Sequence, residues 1–330
     1  MKTFIDKGEA NSIIDRFGSA RLLVVGDLVM DHFIWGRVER ISPEAPIPVV
    51  EVTSESLLLG GAANVANNVC SLGGKIVVSG VVGRDSDGRR VVKELNKRGA
   101  ITEGIVVEDG RPTTIKTRII AHNQQVVRFD RERRDGIAGE TMATITEYLK
   151  KAAETVDVIV ISDYAKGLLT SDLMKVIIML GKQKGKMVVV DPKISHFDYY
   201  RGATIMTPNN HEASQASGID IVDEATLLKA GRSLLKSSGC SAVLITRGEH
   251  GMSLFEVGKR VCHIPTVARE VYDVSGAGDT VVAIMALALA VGASFRQAAI
   301  IANYAAGIVV SKMGTATVGS DELRQVINGS

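Results

Sequence analysis

Cysteine is scarce in this chain: Cys70, Cys240 and Cys262 are the only three in 330 residues. They lie far apart, so they make neither a zinc-type spacing nor an even disulfide set, and free thiols point to a reducing cytoplasm. Net charge is nearly absent as well. The formal value is +2, with both signs interspersed. That balance excludes a nucleic-acid partner held by a basic face. The run from Arg131 to Arg134 contains Glu132 and precedes Asp135, and it reads as a solvated loop. There is no apolar run long enough to span a bilayer. Thr280 to Ala293 is the most apolar stretch and falls short of the roughly 20 residues required, so it reads as a buried helix and no membrane partner is expected. Met1 to Ala10 carries charges without an apolar core, which is not the pattern of a secretory leader. Internal repeats and low-complexity segments are missing, and so is the G-x-G-x-x-G spacing of a dinucleotide fold, which argues against a nicotinamide dehydrogenase.

What is present is a regular alternation. Apolar runs at 22–25, 75–82, 156–161, 187–190, 203–206 and 242–246 read as strands. Helical spacing fills 62–72, 86–97, 140–153, 171–184, 224–236, 278–291 and 295–312. Buried strands alternating with helices predict an α/β body around a mainly parallel sheet. Two regions break the pattern: an extended run at 46–52, and β-type segments at 113–121 and 125–130 joined by His122-Asn123-Gln124. Both of these segments alternate in a way that leaves one face wet. Together the pieces predict a small inserted sheet, either a lid over a site or a contact with a second subunit. An ordinary edge hairpin is the plain alternative.

The candidate site residues follow the strand ends. Asp273-Val-Ser-Gly276-Ala277-Gly278-Asp279 is a Gly-rich turn feeding the apolar helix. Such a helix start leaves backbone N–H groups open to an anion, phosphate above all. Asp279 is then either a first-turn acid favoured by the helix dipole or a base for a hydroxyl that attacks that phosphate. Asp27 and Asp31 follow the first strand, where open α/β sheets place ligands, and suit sugar hydroxyls; turn chemistry is the alternative. Gly60-Gly61 permits close backbone approach, and Asn64 offers a donor and an acceptor to a polyol, unless the glycines serve packing alone. Thr207-Pro-Asn209-Asn210-His211-Glu212 matches a capping box, and equally a nucleotide-phosphate segment whose Glu212 orders water on Mg²⁺. Thr246-Arg-Gly248-Glu-His-Gly251 is a loop able to wrap a nucleotide, or a simple hairpin turn. Lys166 and Lys193, near two further strand ends, each offer a point charge for a substrate phosphate, although a solvated loop lysine is commoner. Asp27, Asp163, Asp191, Asn209, Thr246 and Asp279 follow predicted strands or open helices, so all can converge on one rim of one sheet.

In this order the motifs resemble the ribokinase-like (PfkB) carbohydrate kinases: Gly-Gly-x-x-Asn-x-Ala near residue 60, Asn-x-x-Glu at 209–212, Thr-x-Gly-x-x-Gly at 246–251 and Gly-Ala-Gly-Asp at 276–279. The resemblance covers nearly the whole chain. It implies a three-layer α/β/α body, one kinase domain over 1–330, and lid strands from about 33–53 and 112–131. It implies MgATP-dependent phosphorylation of a sugar hydroxyl, with Asp279 as base and the N–H groups of Gly276, Ala277 and Gly278 on the transferred phosphoryl group. Asp27, Asp31, Gly61 and Asn64 would hold sugar hydroxyls. Lys166 and Lys193, with Arg118 or Arg128 from the lid, would hold a substrate phosphate. Thr246, Gly248, Gly251 and Asn303 would line the nucleotide side. One departure is that Asp273-Val-Ser stands where many members have Asp-Thr-x.

More narrowly, 41–49, Ser162-Asp-Tyr-Ala-Lys-Gly167, and Asn123-Gln-Gln125 with Arg128-Phe-Asp130 resemble the heptose-7-phosphate kinases of ADP-heptose synthesis for the lipopolysaccharide core. That likeness implies transfer to the anomeric hydroxyl of D-glycero-D-manno-heptose 7-phosphate. No His-x-Gly-His nucleotidyltransferase motif is present, so the expectation is a stand-alone kinase or a kinase half. A homodimer through the lid is also expected, because exposed strand edges invite pairing. The alternatives are a kinase for another sugar or nucleoside, and a sugar-phosphate sensor without catalysis.

Overall fold

The computed structural model describes residues 5–122, 124–268 and 270–329. Asn123, in the expected lid turn, lies outside the described residues. Helix α1 (Lys7–Asp15) leads into β1 (Arg21–Gly26), β2 (Leu28–Ile41), β3 (Pro48–Gly61) and α2 (Ala62–Ser71). Next come β4 (Lys75–Gly83), α3 (Ser86–Lys97), β5 (Ile101–Glu108), β6 (Thr114–Ala121), β7 (Gln124–Arg131) and α4 (Gly139–Ala152). The middle holds β8 (Val158–Ser162), α5 (Ser171–Lys184), β9 (Met187–Asp191), β10 (Ile205–Met206), α6 (Asn210–Ser217) and α7 (Glu224–Ser238). The last part is β11 (Ala242–Thr246), β12 (Met252–Glu256), β13 (Cys262–Ile264), α8 (Ala277–Ala290), α9 (Phe295–Val309) and α10 (Ser320–Asn328).

Nine strands form one sheet in the order β13-β12-β11-β10-β9-β8-β1-β4-β5. From β11 through β5 every pairing is parallel, and only the β11-β12-β13 end is antiparallel. A parallel sheet is covered on both faces, which is why β8 (Val-Ile-Val-Ile-Ser) is buried throughout. One face packs on α1, α2, α3, α8, α9 and α10. The other packs on α4, α5, α6 and α7. Helix α8 is buried at every position from Asp279 to Leu289, as its unbroken apolar sequence requires. This is the expected three-layer body.

The second sheet has the order β3-β2-β6-β7. Its β2–β6 pairing is parallel; the other two are antiparallel. It is larger than the sequence pattern predicts. The alternative reading of Gly26–Asp31 as turn chemistry fails beyond Asp27, which alone breaks the chain: Leu28 already begins a 14-residue strand. Leu28, Val29 and Met30 are buried on both faces, so no alternation betrays the strand. The run at 46–52 likewise continues to Gly61, disguised by polar Thr53-Ser-Glu-Ser56. Helix α9 stops at Val309, short of the expected 312.

Candidate active site

Asp279 lies in the first turn of α8, 2% exposed. Its Oδ2 accepts from Asn64 Nδ2 at 2.8 Å and its Oδ1 from the Tyr164 hydroxyl at 2.8 Å. Burial raises its carboxyl to about 6, although both hydrogen bonds pull the other way; Asp31 adds to the rise and Lys116 offsets it. The N-cap, Gly276, stands at φ 78°, and a Cβ there would lie 2.7 Å from Asn64 Nδ2. Glycine thus lets the turn close on the residue that holds the acid. No side chain caps α8. The Ala277 N–H is bonded to the Val274 carbonyl at 3.2 Å. It is therefore not open to an anion as the sequence suggested, whereas the N–H groups of Gly278 and Asp279 have no partner among the described residues.

Asn64, expected to face a polyol, is fully buried and donates from its amide to Asp279, a bond that holds the carboxylate in place. Tyr164, present in the sequence only as part of the 162–167 motif, supplies the second hydrogen bond to Asp279. Burial and the neighbouring Asp279 carboxyl push its phenol well above its usual range, which keeps it a donor. The loop that carries it is tightly held. Asp27 Oδ2 accepts from the N–H groups of Tyr164 and Lys166 at 2.9 and 3.1 Å. Asp163 accepts from Ala165 N–H at 2.7 Å and from the Tyr200 hydroxyl at 2.6 Å, and it lies 2.8 Å from His196 Nδ1. Ala165 stands at φ 52°, a conformation that persists in a non-glycine residue only when its surroundings impose it. Asp27 is 4% exposed, and burial, with Asp163 beside it, raises its carboxyl to about 6.

The residues expected on the sugar side gather where the two sheets meet. Gly60 and Gly61 end β3 opposite Val29 and Leu28, and a Cβ on Gly60 would strike the Asp31 carboxylate. Asp31 accepts from Arg118 at 2.6 Å, and the Arg118 guanidinium lies 5.0 Å from the Phe33 ring centroid. Three expected phosphate ligands are already paired. Lys166 Nζ lies 2.5 Å from Glu132, Arg128 donates to Asp130 at 2.9 Å, and Arg118 holds Asp31. Lys193, half exposed, is only loosely paired with Glu212 at 3.9 Å.

On the other side of the α8 N-terminus is a cleft of about 570 Å³. Thr246, Gly248, Gly251, Asn303, Ala277 and Gly278 all line it, whereas Asn209, Asn210, His211 and Glu212, also expected on the nucleotide side, do not. Thr246–Gly251 is the β11–β12 hairpin turn, as the plain reading had it, and also a wall of the cleft. The Asn303 amide is committed to the Pro265 carbonyl at 2.8 Å. The 209–212 segment forms the full capping box: Glu212 N–H to Asn209 Oδ1 at 2.9 Å, and Asn209 N–H to Glu212 Oε2 at 3.0 Å. A parallel bridge joins Asn209 to Thr246, which puts the box beside the cleft. His211 turns out to Gln215 at 3.0 Å, and Asn210 lines a smaller adjoining cavity. Asp191, at the tip of β9, is pushed well above the usual carboxylate range by burial and then by Asp279 and Glu212. Among the described residues no three His, Cys, Asp or Glu side chains are grouped to hold a metal by themselves. Among them, too, no helix is long and apolar enough to cross a membrane.

A buried carboxylate set between an open helix N-terminus and a corner of buried polar groups, on a three-layer α/β fold, is an arrangement suited to phosphoryl transfer. Residues 19–322 match the family described as pfkB family carbohydrate kinase, and the chain belongs to that family. It is 49% identical over 319 residues to the bifunctional protein HldE of Citrifermentans bemidjiense, covering 97% of this chain and 66% of that protein. It is 47% identical over 319 residues to the bifunctional protein HldE of Geobacter sulfurreducens, covering 97% and 65%. The chain thus spans about two-thirds of the length of the curated relatives it matches. The fold is shared with Arabidopsis thaliana ribokinase complexed with ribose and ATP, at TM-score 0.76, 18% identity, and 94% and 99% coverage. It is shared also with Escherichia coli phosphofructokinase-2 in complex with substrates and products, at TM-score 0.77, 17% identity, and 94% and 99% coverage.

Proposed function

We propose that this chain transfers the γ-phosphoryl group of ATP to the anomeric hydroxyl of D-glycero-β-D-manno-heptose 7-phosphate, giving the 1,7-bisphosphate for ADP-heptose synthesis. The observation that carries phosphoryl transfer is Asp279, buried, doubly hydrogen-bonded and set in the first turn of α8 between cleft and polar corner. The choice of heptose rests on the motifs at 41–49, 123–125 with 128–130, and 162–167, and is supported by likeness to the HldE proteins over 97% of this chain.

In this reading the nucleotide lies in the cleft along Thr246, Gly248, Gly251 and Asn303. The sugar lies against Asp31 and Gly61. The sugar oxygen attacks the γ-phosphorus, its proton passes to Asp279, and the bond to the β-phosphate oxygen breaks to release ADP. The N–H groups of Gly278 and Asp279 stabilise charge that builds on the phosphoryl oxygens. Mg²⁺ suits this rim, because it takes one or two carboxylates and keeps water and phosphate as its other ligands. Asp191, crowded by Asp279 and Glu212, and Glu212 itself would hold it. When bound, it neutralises phosphate charge. The second sheet serves as a lid that excludes water.

The same sheet exposes Ile41, Ile47, Val52 and Phe129, each more than half exposed, and we assign that face to a homodimer. The free thiols suit the cytoplasm. Phosphorus NMR of the product after incubation with heptose 7-phosphate and MgATP tests substrate and site of transfer together. A phosphorylated product other than the 1,7-bisphosphate, or none, overturns the heptose reading. Light scattering at working concentration checks the dimer.

A further inference from the structure

Lys116 was not among the expected ligands. It sits on β6, opposite Asp31 of β2 in the parallel register. Its Nζ lies 4.6 Å from the centroid of the Tyr164 ring, the same ring whose hydroxyl reaches Asp279. Arg118, Arg128 and Lys166 crowd it, and each of those three is already in an ion pair with Asp31, Asp130 or Glu132. Asp31, Asp130 and Glu132 are thus taken up by other cations, Glu132 by Arg134 as well, and Lys116 acts on Asp279 only from beyond ion-pair distance. Among the described residues, Lys116 is in no ion pair.

A half-buried ammonium without a counter-ion is costly unless a ligand supplies one. The aromatic face beneath it offsets only part of that cost. Burial lowers its proton affinity; Asp31 opposes this, and the three neighbouring cations add to it. We propose that Lys116 receives the phosphate group that the sugar already carries, and so sets the preference for phosphorylated over unphosphorylated sugars. The transferred phosphoryl group is the other anion in reach of this chemistry. It belongs to the opposite side of the α8 N-terminus, because no residue of β6 lines the nucleotide cleft. Binding at Lys116 also presses on Tyr164, so the residue that senses the sugar's phosphate rests on the residue that orients the base.

The inference rests on the reading of the site as one for a sugar phosphate. Calorimetry of the wild type against heptose 7-phosphate, other sugar monophosphates and their unphosphorylated counterparts comes first. If another sugar phosphate binds best, the choice of heptose fails and the test continues with that sugar. Lys116→Gln should then weaken the phosphorylated sugar by about tenfold or more, the scale of one lost charge-assisted contact. The unphosphorylated sugar and ATP should stay within about twofold, a difference too small to signal a lost contact of that strength. Lys116→Arg should recover much of the loss. An unchanged ratio between the two sugars in Lys116→Gln overturns the assignment. So does an equal fall in kcat with both sugars, which would give Lys116 to the transferred phosphoryl group. A wild type with no preference for any phosphorylated sugar overturns the assignment and the sugar-phosphate reading together.

Discussion

The Tyr164 hydroxyl donates to Oδ1 of Asp279 at 2.8 Å from a loop 115 residues earlier in the chain. With Asn64 on Oδ2, the carboxylate is fixed in two directions while each oxygen keeps a lone pair for a proton. Asp279→Asn should therefore lose turnover by about 10²–10⁴-fold, the range for a positioned general base, while still binding MgATP. Stability should move the other way. The folded carboxyl titrates at about 6 against 3.8 unfolded, so the acid favours folding fully below 3.8 and that contribution is lost as pH rises through 6. The asparagine variant escapes the loss. Urea unfolding at pH 8 should find it more stable than the wild type by up to about 3 kcal/mol, with the gap closing toward pH 4. A gap independent of pH would remove Asp279 as its source.

Tyr164→Phe removes one donor to the base and leaves the aromatic face under Lys116. Without that donor the ionised form of Asp279 is held less well, so its titration moves above 6. The acid limb of kcat/KM against pH should shift to higher pH by up to about one unit, the scale of one hydrogen bond to a charged group. Most of the rate should return at pH 8. A uniform drop at all pH values, with an unmoved limb, would mean that Tyr164 shapes the pocket without tuning the base.

Much of this was legible in the sequence, for a physical reason. β8, β9 and β11 are apolar without a break because parallel strands are covered on both faces, and α5 begins at a Thr170 cap and ends at Gly185. Gly276–Asp279 announced the start of α8. Other features depend on contacts across the chain. Asn64 has the chemistry of a polyol ligand, and only its place beneath Asp279 turns it into an orienting group. Lys166 reads as a free loop lysine until Glu132 is found beside it. Tyr164 stood inside a motif and carried no signal of its own, since a tyrosine after a strand is usually packing. The long β2 stayed hidden because its first three residues are buried on both faces.

Gly278 separates fold from binding. A Cβ there meets nothing within 4 Å, its backbone is helical, and it lines the cleft beside Ala277. Gly278→Val should leave the melting temperature within a few degrees of the wild type, since helix propensity changes by only about 0.5 kcal/mol. Its branched side chain fills space at the open N–H groups, so KM for ATP should rise by about tenfold or more, the cost of a contact worth roughly 1.4 kcal/mol. An unchanged KM for ATP would move the nucleotide out of this cleft.

Glu212 carries two readings that one pair of variants can part. Its Oε2 closes the capping box on Asn209 N–H, a structural task that glutamine performs as well. Its charge, beside Asp191, is what a cation would use. Glu212→Gln should keep the melting temperature and raise the Mg²⁺ concentration for half-maximal rate. Glu212→Ala should do the same to Mg²⁺ and also cost about 1 kcal/mol of stability as the box opens. If a magnesium titration finds the glutamine variant indistinguishable from the wild type, Glu212 is a helix cap only, and the cation must be held by Asp191 and the phosphates.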